Sequence, residues 1–136
     1  MLQLSDDSRI VAGILLLSIV TVQVGGWYMT KIVRGQVPLT EFQKAFARAG
    51  HAHAGVLVIL GLVCQILADA TTLTGVVNQV ARLGVPLAAI LMSGGFFASS
   101  AGKNVTKPNG AIVILWIGAV SLAAGVVALG IGLLTA

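Results

Sequence analysis

The sequence predicts an all-α, integral membrane four-helix bundle with both termini on the non-cytoplasmic side. The first two observations behind this prediction are that 57% of the 136 residues are hydrophobic and only 9% are charged. Soluble domains carry roughly 25% charged residues, which they need to cover their surface. The composition therefore excludes a soluble globular protein. It also excludes a nucleic-acid-binding module, despite the net charge of +4.

The third observation is that four apolar segments are long enough to cross a bilayer. A hydrocarbon core of roughly 30 Å needs about 20 helical residues. The segments run over about residues 10–29, 45–67, 83–101 and 111–134. With their flanking turns, the predicted helices cover about residues 5–32, 40–68, 80–102 and 109–135 of one domain, 1–136. The spans must be helical, since an open strand in lipid leaves its backbone polar groups unpaired.

Local signals mark the ends of these helices. Ser5 followed by Asp6 and Asp7 is typical of an N-cap with an acidic first turn, and acidic residues at this position argue against a signal peptide. The T-E-F-Q stretch at 40–43 has the spacing of a capping box, so the second helix should begin there. The K-P-N-G stretch at 107–110 predicts a tight turn between the third and fourth helices.

The distribution of lysine and arginine predicts the orientation. Two of them, Arg9 and Arg82, lie at one end of the predicted bundle. Six lie in or beside the first and third loops: Lys31, Arg34, Lys44, Arg48, Lys103 and Lys107. Because positively charged loops stay in the cytoplasm, both termini should face outward from a bacterial inner membrane.

The chain's two histidines, His51 and His53, lie in the run R-A-G-H-A-H-A-G at 48–55. Two residues on a helix are about 200° apart, so the rings should point to nearly opposite faces. Each ring can hydrogen-bond to another helix, which is a structural role, or bind a metal. The glycine pairs Gly25-Gly26 and Gly94-Gly95 fall at the same depth and predict either close packing or room for a flat ligand.

A haem b is the flat ligand that this layer predicts. His51 or His53 supplies an axial nitrogen to the iron, and apolar and aromatic side chains supply the walls. Two catalytic candidates, Tyr28 and Ser93, could orient the oxygen of a small apolar substrate. The other cofactor-binding candidates are the cations Arg48 and Lys44, for the propionates, together with the glycine pairs and Trp116.

The segment Ala47-Arg48-Ala49, followed by a histidine at 51 or 53, resembles the start of the second helix in the membrane-bound styrene oxide isomerases. Those proteins are also small four-helix chains. The resemblance implies a haem b held between protomers of a trimer. It also implies that the ferric iron acts as a Lewis acid on an epoxide oxygen, so that a hydride shift gives an aldehyde. Only the histidine transfers directly, and Tyr28 is a functional substitute for the family's tyrosine near the iron.

Two other functions fit the same sequence. Abundant small residues predict close helix packing within the bundle or between protomers, as in a homo-oligomer or an accessory or assembly subunit of a larger membrane complex. A small transporter or channel is the other alternative. The sequence places no Asp, Glu, Lys or Arg at mid-bilayer, which disfavours ion coupling. The expected partners are the lipid bilayer, a small apolar substrate and further copies of the chain, with no nucleic acid.

Overall fold

The computed structural model describes residues 3–136, and this part of the chain forms four α-helices and no strand. Each helix is long and apolar enough to cross a membrane, which confirms the predicted all-α, four-helix fold. Consecutive helices pack against each other in an up-and-down arrangement. The helices are α1 (Asp6–Val33), α2 (Glu41–Ala68), α3 (Gly75–Ser99) and α4 (Ile112–Leu134).

The predicted caps of α1 and α2 are both present. The Ser5 hydroxyl accepts the backbone N–H of Ser8 at 3.2 Å. The Thr40 hydroxyl accepts the N–H of Gln43, whose side chain accepts the N–H of Thr40, each at 3.2 Å. These signals are local in the sequence, which is why they could be predicted.

Helix α3 starts and ends earlier than predicted. It begins at Gly75, directly after the extended Thr74, so its first turn precedes the apolar segment from which the span was predicted. It ends at Ser99 rather than near residue 102, because Gly102 and Asn104 have φ values of +130° and +56° that a right-handed helix does not allow.

Helix α3 is the centre of the bundle and α1 is its least buried helix. In their most apolar stretches, 56% of the residues of α3 are buried but only 6% of those of α1. Helix α3 packs against both α2 and α4, whereas α1 packs mainly along α2. The outer surface of α1 therefore faces lipid or a partner.

Glycines bring α3 and α4 into close contact. A Cβ atom added to Gly84 would lie 2.6 Å from the Cα of Gly125, and one added to Gly118 would lie 2.8 Å from the backbone nitrogen of Met92. The Ser121 hydroxyl donates to the Gly84 carbonyl at 2.9 Å. Close backbone approach with an interhelical hydrogen bond is the usual way in which membrane helices associate.

A partly buried polar cluster, here called the clasp, joins α1, α2 and α3 through Ser5, Ser8, Asp69 and Arg82. Arg82 is only 6% exposed, and its Nη2 lies 2.6 Å from the Asp69 carboxylate. Its Nη1 donates to the Ser8 hydroxyl. The Asp69 carboxylate also accepts the backbone N–H and the hydroxyl of Ser5, at 2.9 and 2.8 Å. The sequence places Arg82 at the end of a span, whereas the structure buries it inside α3.

The clasp sets the protonation of Asp69. Burial raises the pKa of this carboxyl, but hydrogen bonds from Ser5 and Arg82 outweigh burial and lower the pKa to about 2, from an ordinary value of 3.8. Asp69 is therefore ionised at neutral pH and balances the buried guanidinium of Arg82.

Gln65 replaces a backbone hydrogen bond that Pro86 removes from α3. Because proline has no N–H, Pro86 cannot donate to the carbonyl of Arg82 one turn earlier. The Gln65 side-chain amide, which is fully buried, donates to that carbonyl at 2.8 Å instead. A proline inside a membrane span is tolerated when a neighbouring helix supplies such a donor.

The two ends of the bundle are named here by their residues. The Arg82 end holds the clasp, the start of α1 and the end of α4, where Gly132 lies against Leu73. The histidine end holds the first and third loops. There the Gln43 amide donates to the carbonyls of Ser100 and Gly102, at 3.0 and 2.9 Å, and so ties the start of α2 to the third loop.

Candidate functional site

His51 faces α1 and fits against its glycine pair. A Cβ atom added to Gly25 would lie 3.2 Å from the Nδ1 of His51, and one added to Gly26 would lie 3.6 Å from its Nε2. The ring is half-buried, and among residues 3–136 no hydrogen bond to it is found. The room that Gly25 and Gly26 provide is thus used by an imidazole of the same chain.

His53 faces α3, on the other side of α2, as the helical rotation predicts. Its Nδ1 lies 2.8 Å from the carbonyl oxygen of Ala49, and its ring lies 5.0 Å from the ring of Phe96. Since a carbonyl oxygen only accepts hydrogen bonds, the Nδ1 is the donor in this contact, and in the neutral ring the Nε2 then presents a lone pair. Metal-binding histidines are commonly held in this way, by a hydrogen bond from the ring nitrogen that does not bind the metal.

The second glycine pair is split between two environments. A Cβ atom added to Gly95 would lie 2.5 Å from the backbone nitrogen of Leu115 on α4, whereas one added to Gly94 would meet no atom within 4 Å. On α2, Gly50 lies against Phe97, at 3.0 Å from an added Cβ atom. Protein atoms therefore occupy most of the space that the glycines open at the histidine layer.

The predicted cations and Trp116 lie near the surface. Lys44 pairs with Glu41 at 2.8 Å, and the Nε of the exposed Arg48 donates to the Lys44 carbonyl at 3.3 Å. The Trp116 ring is 62% exposed on the outside of α4. Because only the Nε of Arg48 is used, its two terminal nitrogens could still bind a carboxylate ligand.

The two catalytic candidates lie in separate cavities. Tyr28 lines a cavity of about 230 Å³ at the histidine end, together with Gln43 and Phe97. Ser93 lines a larger apolar groove of about 350 Å³ that runs between α1, α2 and α3. Ser93 thus lines the groove, which the sequence did not predict, whereas Tyr28 does not.

His51 and His53 face opposite sides of α2, so a metal ion could be bound by only one of them within a chain. The described residues contain no group of three or more His, Cys, Asp or Glu side chains able to hold a metal ion. Haem needs only an axial nitrogen from the protein, and the neutral Nε2 of His53 is such a donor. The donor chemistry therefore fits haem. Beside the imidazoles, the four cavities lined by residues 3–136 that are described here offer no walls for it, because none has a histidine in its lining.

Four apolar helices, a buried ion pair and a lipid-facing groove define a small multi-pass membrane protein. Comparisons of the chain with protein-family models, with curated proteins and with solved structures gave no match.

Proposed function

We propose that this chain is a membrane haem-b protein and that the Nε2 of His53 is the axial ligand of the iron. The observation that carries the proposal is the 2.8 Å contact between the Nδ1 of His53 and the carbonyl of Ala49. This contact holds the ring and, in the neutral imidazole, places the lone pair on the Nε2, which is the atom that would bind iron. His51, seated against Gly25 and Gly26, has a structural role in this proposal.

A second copy of the chain would supply the remaining walls of the cofactor site, because none of the four cavities described above has His53 in its lining. Gln23 supports such an assembly. It lies on the exposed side of α1 and makes no hydrogen bond among residues 3–136. In lipid, an exposed amide is best satisfied by another helix, and self-association would bring one to it. A homo-oligomer is therefore part of the proposal, and a trimer is what the resemblance implies.

The proposed activity is the isomerisation of a small apolar epoxide, of the styrene oxide type, to an aldehyde. When bound, ferric haem supplies a Lewis acid for the epoxide oxygen. The chain's own residues hold the cofactor and exclude water. His53, held by the Ala49 carbonyl, would bind the iron, the exposed Arg48 would pair with a propionate, and the apolar helices would keep the surroundings dry. Exclusion of water favours rearrangement over hydrolysis.

The visible spectrum of the detergent-purified protein tests haem binding. After expression with ample haem, the wild type should show a Soret band. The band should be lost in His53→Ala, kept in His51→Ala, and restored in His53→Gly by added imidazole. Circular dichroism and gel filtration verify that each variant is folded. A folded wild type without the band, or a band that survives in His53→Ala, contradicts the proposal.

The orientation is tested by labelling in whole cells. We propose that the protein lies in a bacterial inner membrane with the Arg82 end outside, because six of the eight cationic side chains flank the loops at the histidine end. A membrane-impermeant maleimide should label Thr135→Cys in cells whose outer membrane has been permeabilised, and should leave Lys107→Cys unlabelled. The reverse pattern contradicts the orientation. Native Cys64 is buried, so the labelling of the wild type gives the background signal.

An accessory subunit is the second candidate, and it rests on the same exposed Gln23. A different membrane protein could satisfy this amide as well as a second copy could. Gentle detergent extraction followed by mass spectrometry distinguishes the two. A stoichiometric foreign partner that is lost in Gln23→Leu supports the subunit, whereas a pure homo-oligomer supports the haem protein.

A further inference from the structure

The groove between α1, α2 and α3 is a well-formed cavity in the part of the chain that the structure describes. Its volume is about 350 Å³, at the small end of the roughly 300–1,000 Å³ range of ligand pockets. Ala54 and Val58 of α2 form its floor, and Ile14 of α1 and Ile90 of α3 stand at its rim. These two isoleucines are 62% and 70% exposed, so the groove opens sideways, toward the lipid.

The groove is apolar apart from three hydroxyl groups, and two of these are already used. Ser18 donates to the carbonyl of Leu15 at 2.7 Å, and Thr21 donates to the carbonyl of Ser18 at 2.6 Å. Both hydroxyls are satisfied by their own helix, as is usual for Ser and Thr in membrane spans.

Ser93 is the exception. Its side chain is only 8% exposed, and its hydroxyl makes no hydrogen bond among residues 3–136. The other serine of α3 does bond back to the preceding turn. Ser99 donates to the Gly95 carbonyl at 2.5 Å. A buried hydroxyl without a partner has lost its hydrogen bonds to water, so such groups are rare unless something else satisfies them.

We infer that this groove binds a small, neutral, largely apolar molecule that enters from the bilayer, and that the Ser93 hydroxyl donates a hydrogen bond to its single oxygen acceptor. The apolar lining excludes ions and strongly polar compounds. The one free donor selects a carbonyl, ether or epoxide oxygen over a hydrocarbon. The inference does not rest on haem, because no histidine lines the groove.

The test uses the full-length protein without haem, in lipid nanodiscs, with two probes followed by fluorine NMR. One probe is para-fluoroacetophenone, which carries a carbonyl oxygen. The other is para-fluoroethylbenzene, which has a similar size but no acceptor. Empty nanodiscs give the partitioning into lipid, and saturable binding above that level is assigned to the protein.

The wild type should bind the ketone roughly threefold to tenfold more tightly than the hydrocarbon, which is what one neutral hydrogen bond provides. Ser93→Ala should bind both probes equally well. Ala54→Phe, which fills the floor of the groove, should abolish saturable binding of both. The matched control Ala123→Phe places the same ring on an exposed position of α4 and should bind like the wild type.

Three results would overturn the inference. The first is an absence of saturable binding to the folded wild type. The second is a ketone preference that persists in Ser93→Ala, which assigns the donor elsewhere. The third is binding that Ala54→Phe and Ala123→Phe reduce equally. Since no haem is present, a failure of the haem proposal leaves these outcomes unchanged, and the two can be judged separately.

Discussion

Helices α1 and α4 are held to the bundle in different ways. Helix α4 lies against α3 along its length, where Gly84, Gly118 and Gly125 let the two backbones meet. Helix α1 has few buried side chains and leaves a groove of about 350 Å³ beside α3. Its firmest attachment is polar and lies at one end, where Ser5 and Ser8 join the clasp.

This contrast divides the bundle into a rigid half, formed by α3 and α4, and an adaptable half, formed by α1 and the groove beside it. At Gly84 and Gly125 the backbones of α3 and α4 are so close that an added Cβ atom meets backbone. The cavity between these two helices, about 300 Å³ beside Ser121, is smaller than the groove beside α1. Helix α1 packs mainly on α2, and the groove remains between it and α3. Ligand entry is therefore expected on the α1 side.

The largest expected effect comes from Arg82→Met, which removes the cation of the clasp. It leaves Asp69 buried and ionised without its partner, and truncating one member of a buried pair costs about 3–5 kcal/mol. The free energy of unfolding, measured by titrating a denaturing detergent into micelles, should fall by about that amount. Hydrogen exchange should increase first at the start of α1, because Ser8 also loses its donor.

Arg9→Met is the matched control for this change. Arg9 pairs with Asp6 at 2.5 Å, but both side chains are largely exposed, at 68% and 84%. Exposed pairs contribute about 0–1 kcal/mol. If the two variants lose similar stability, the clasp does not hold α1.

Acidification should also release the clasp. A carboxyl whose pKa is lower in the folded protein stabilises the fold above its unfolded value, here 3.8, and this stabilisation is lost as the pH falls toward about 2. The difference corresponds to on the order of 2 kcal/mol. Unfolding measured between pH 5 and pH 2 should show this loss, and Asp69→Asn should have a flatter profile. A wild-type profile as flat as that of the variant would rule out the ionised clasp.

Gly125→Ala tests the rigid half. An added Cβ atom would lie 2.9 Å from the Cα of Gly84, and backbone cannot move aside as a side chain can. Overpacking of this kind costs about 1–3 kcal/mol. Gly130→Ala, on the same helix, is the control because its Cβ atom would meet nothing within 4 Å. Equal thermal stability of the two variants would contradict the tight α3–α4 interface.

The sequence predicted what depends on neighbours along the chain. The caps at Ser5 and Thr40 follow from spacings of three residues, and the spans follow from runs of apolar residues. The clasp could not be predicted in this way, because Arg82 is 13 residues from Asp69 and 74 from Ser8. A signal was nevertheless present: an arginine beside a span needs a carboxylate, and the chain has only four acidic residues.

The candidate site was predicted less well than the fold, for a related reason. The helical rotation of about 200° between His51 and His53 predicted that their rings face opposite sides of α2, as they do. The positions of Gly25 and Gly26 along α1 predicted that this pair lies at the same depth as the histidines. Which glycine meets which neighbour depends on how far each helix turns about its axis. Spacing alone does not fix that rotation, so an imidazole was not expected to fill the space at Gly25 and Gly26.

The smallest expected effect is that of Gly25→Ala, which probes this space. The new Cβ atom would lie 3.2 Å from the His51 ring, which can shift by a few tenths of an ångström. Alanine also favours a helix by roughly 1 kcal/mol, so stability should change by less than about 1 kcal/mol. The Soret band should be unaffected, because the proposed ligand His53 lies on the opposite face of α2. If the band is instead lost while the fold is intact, the macrocycle lies between α1 and α2, and His51 becomes its ligand.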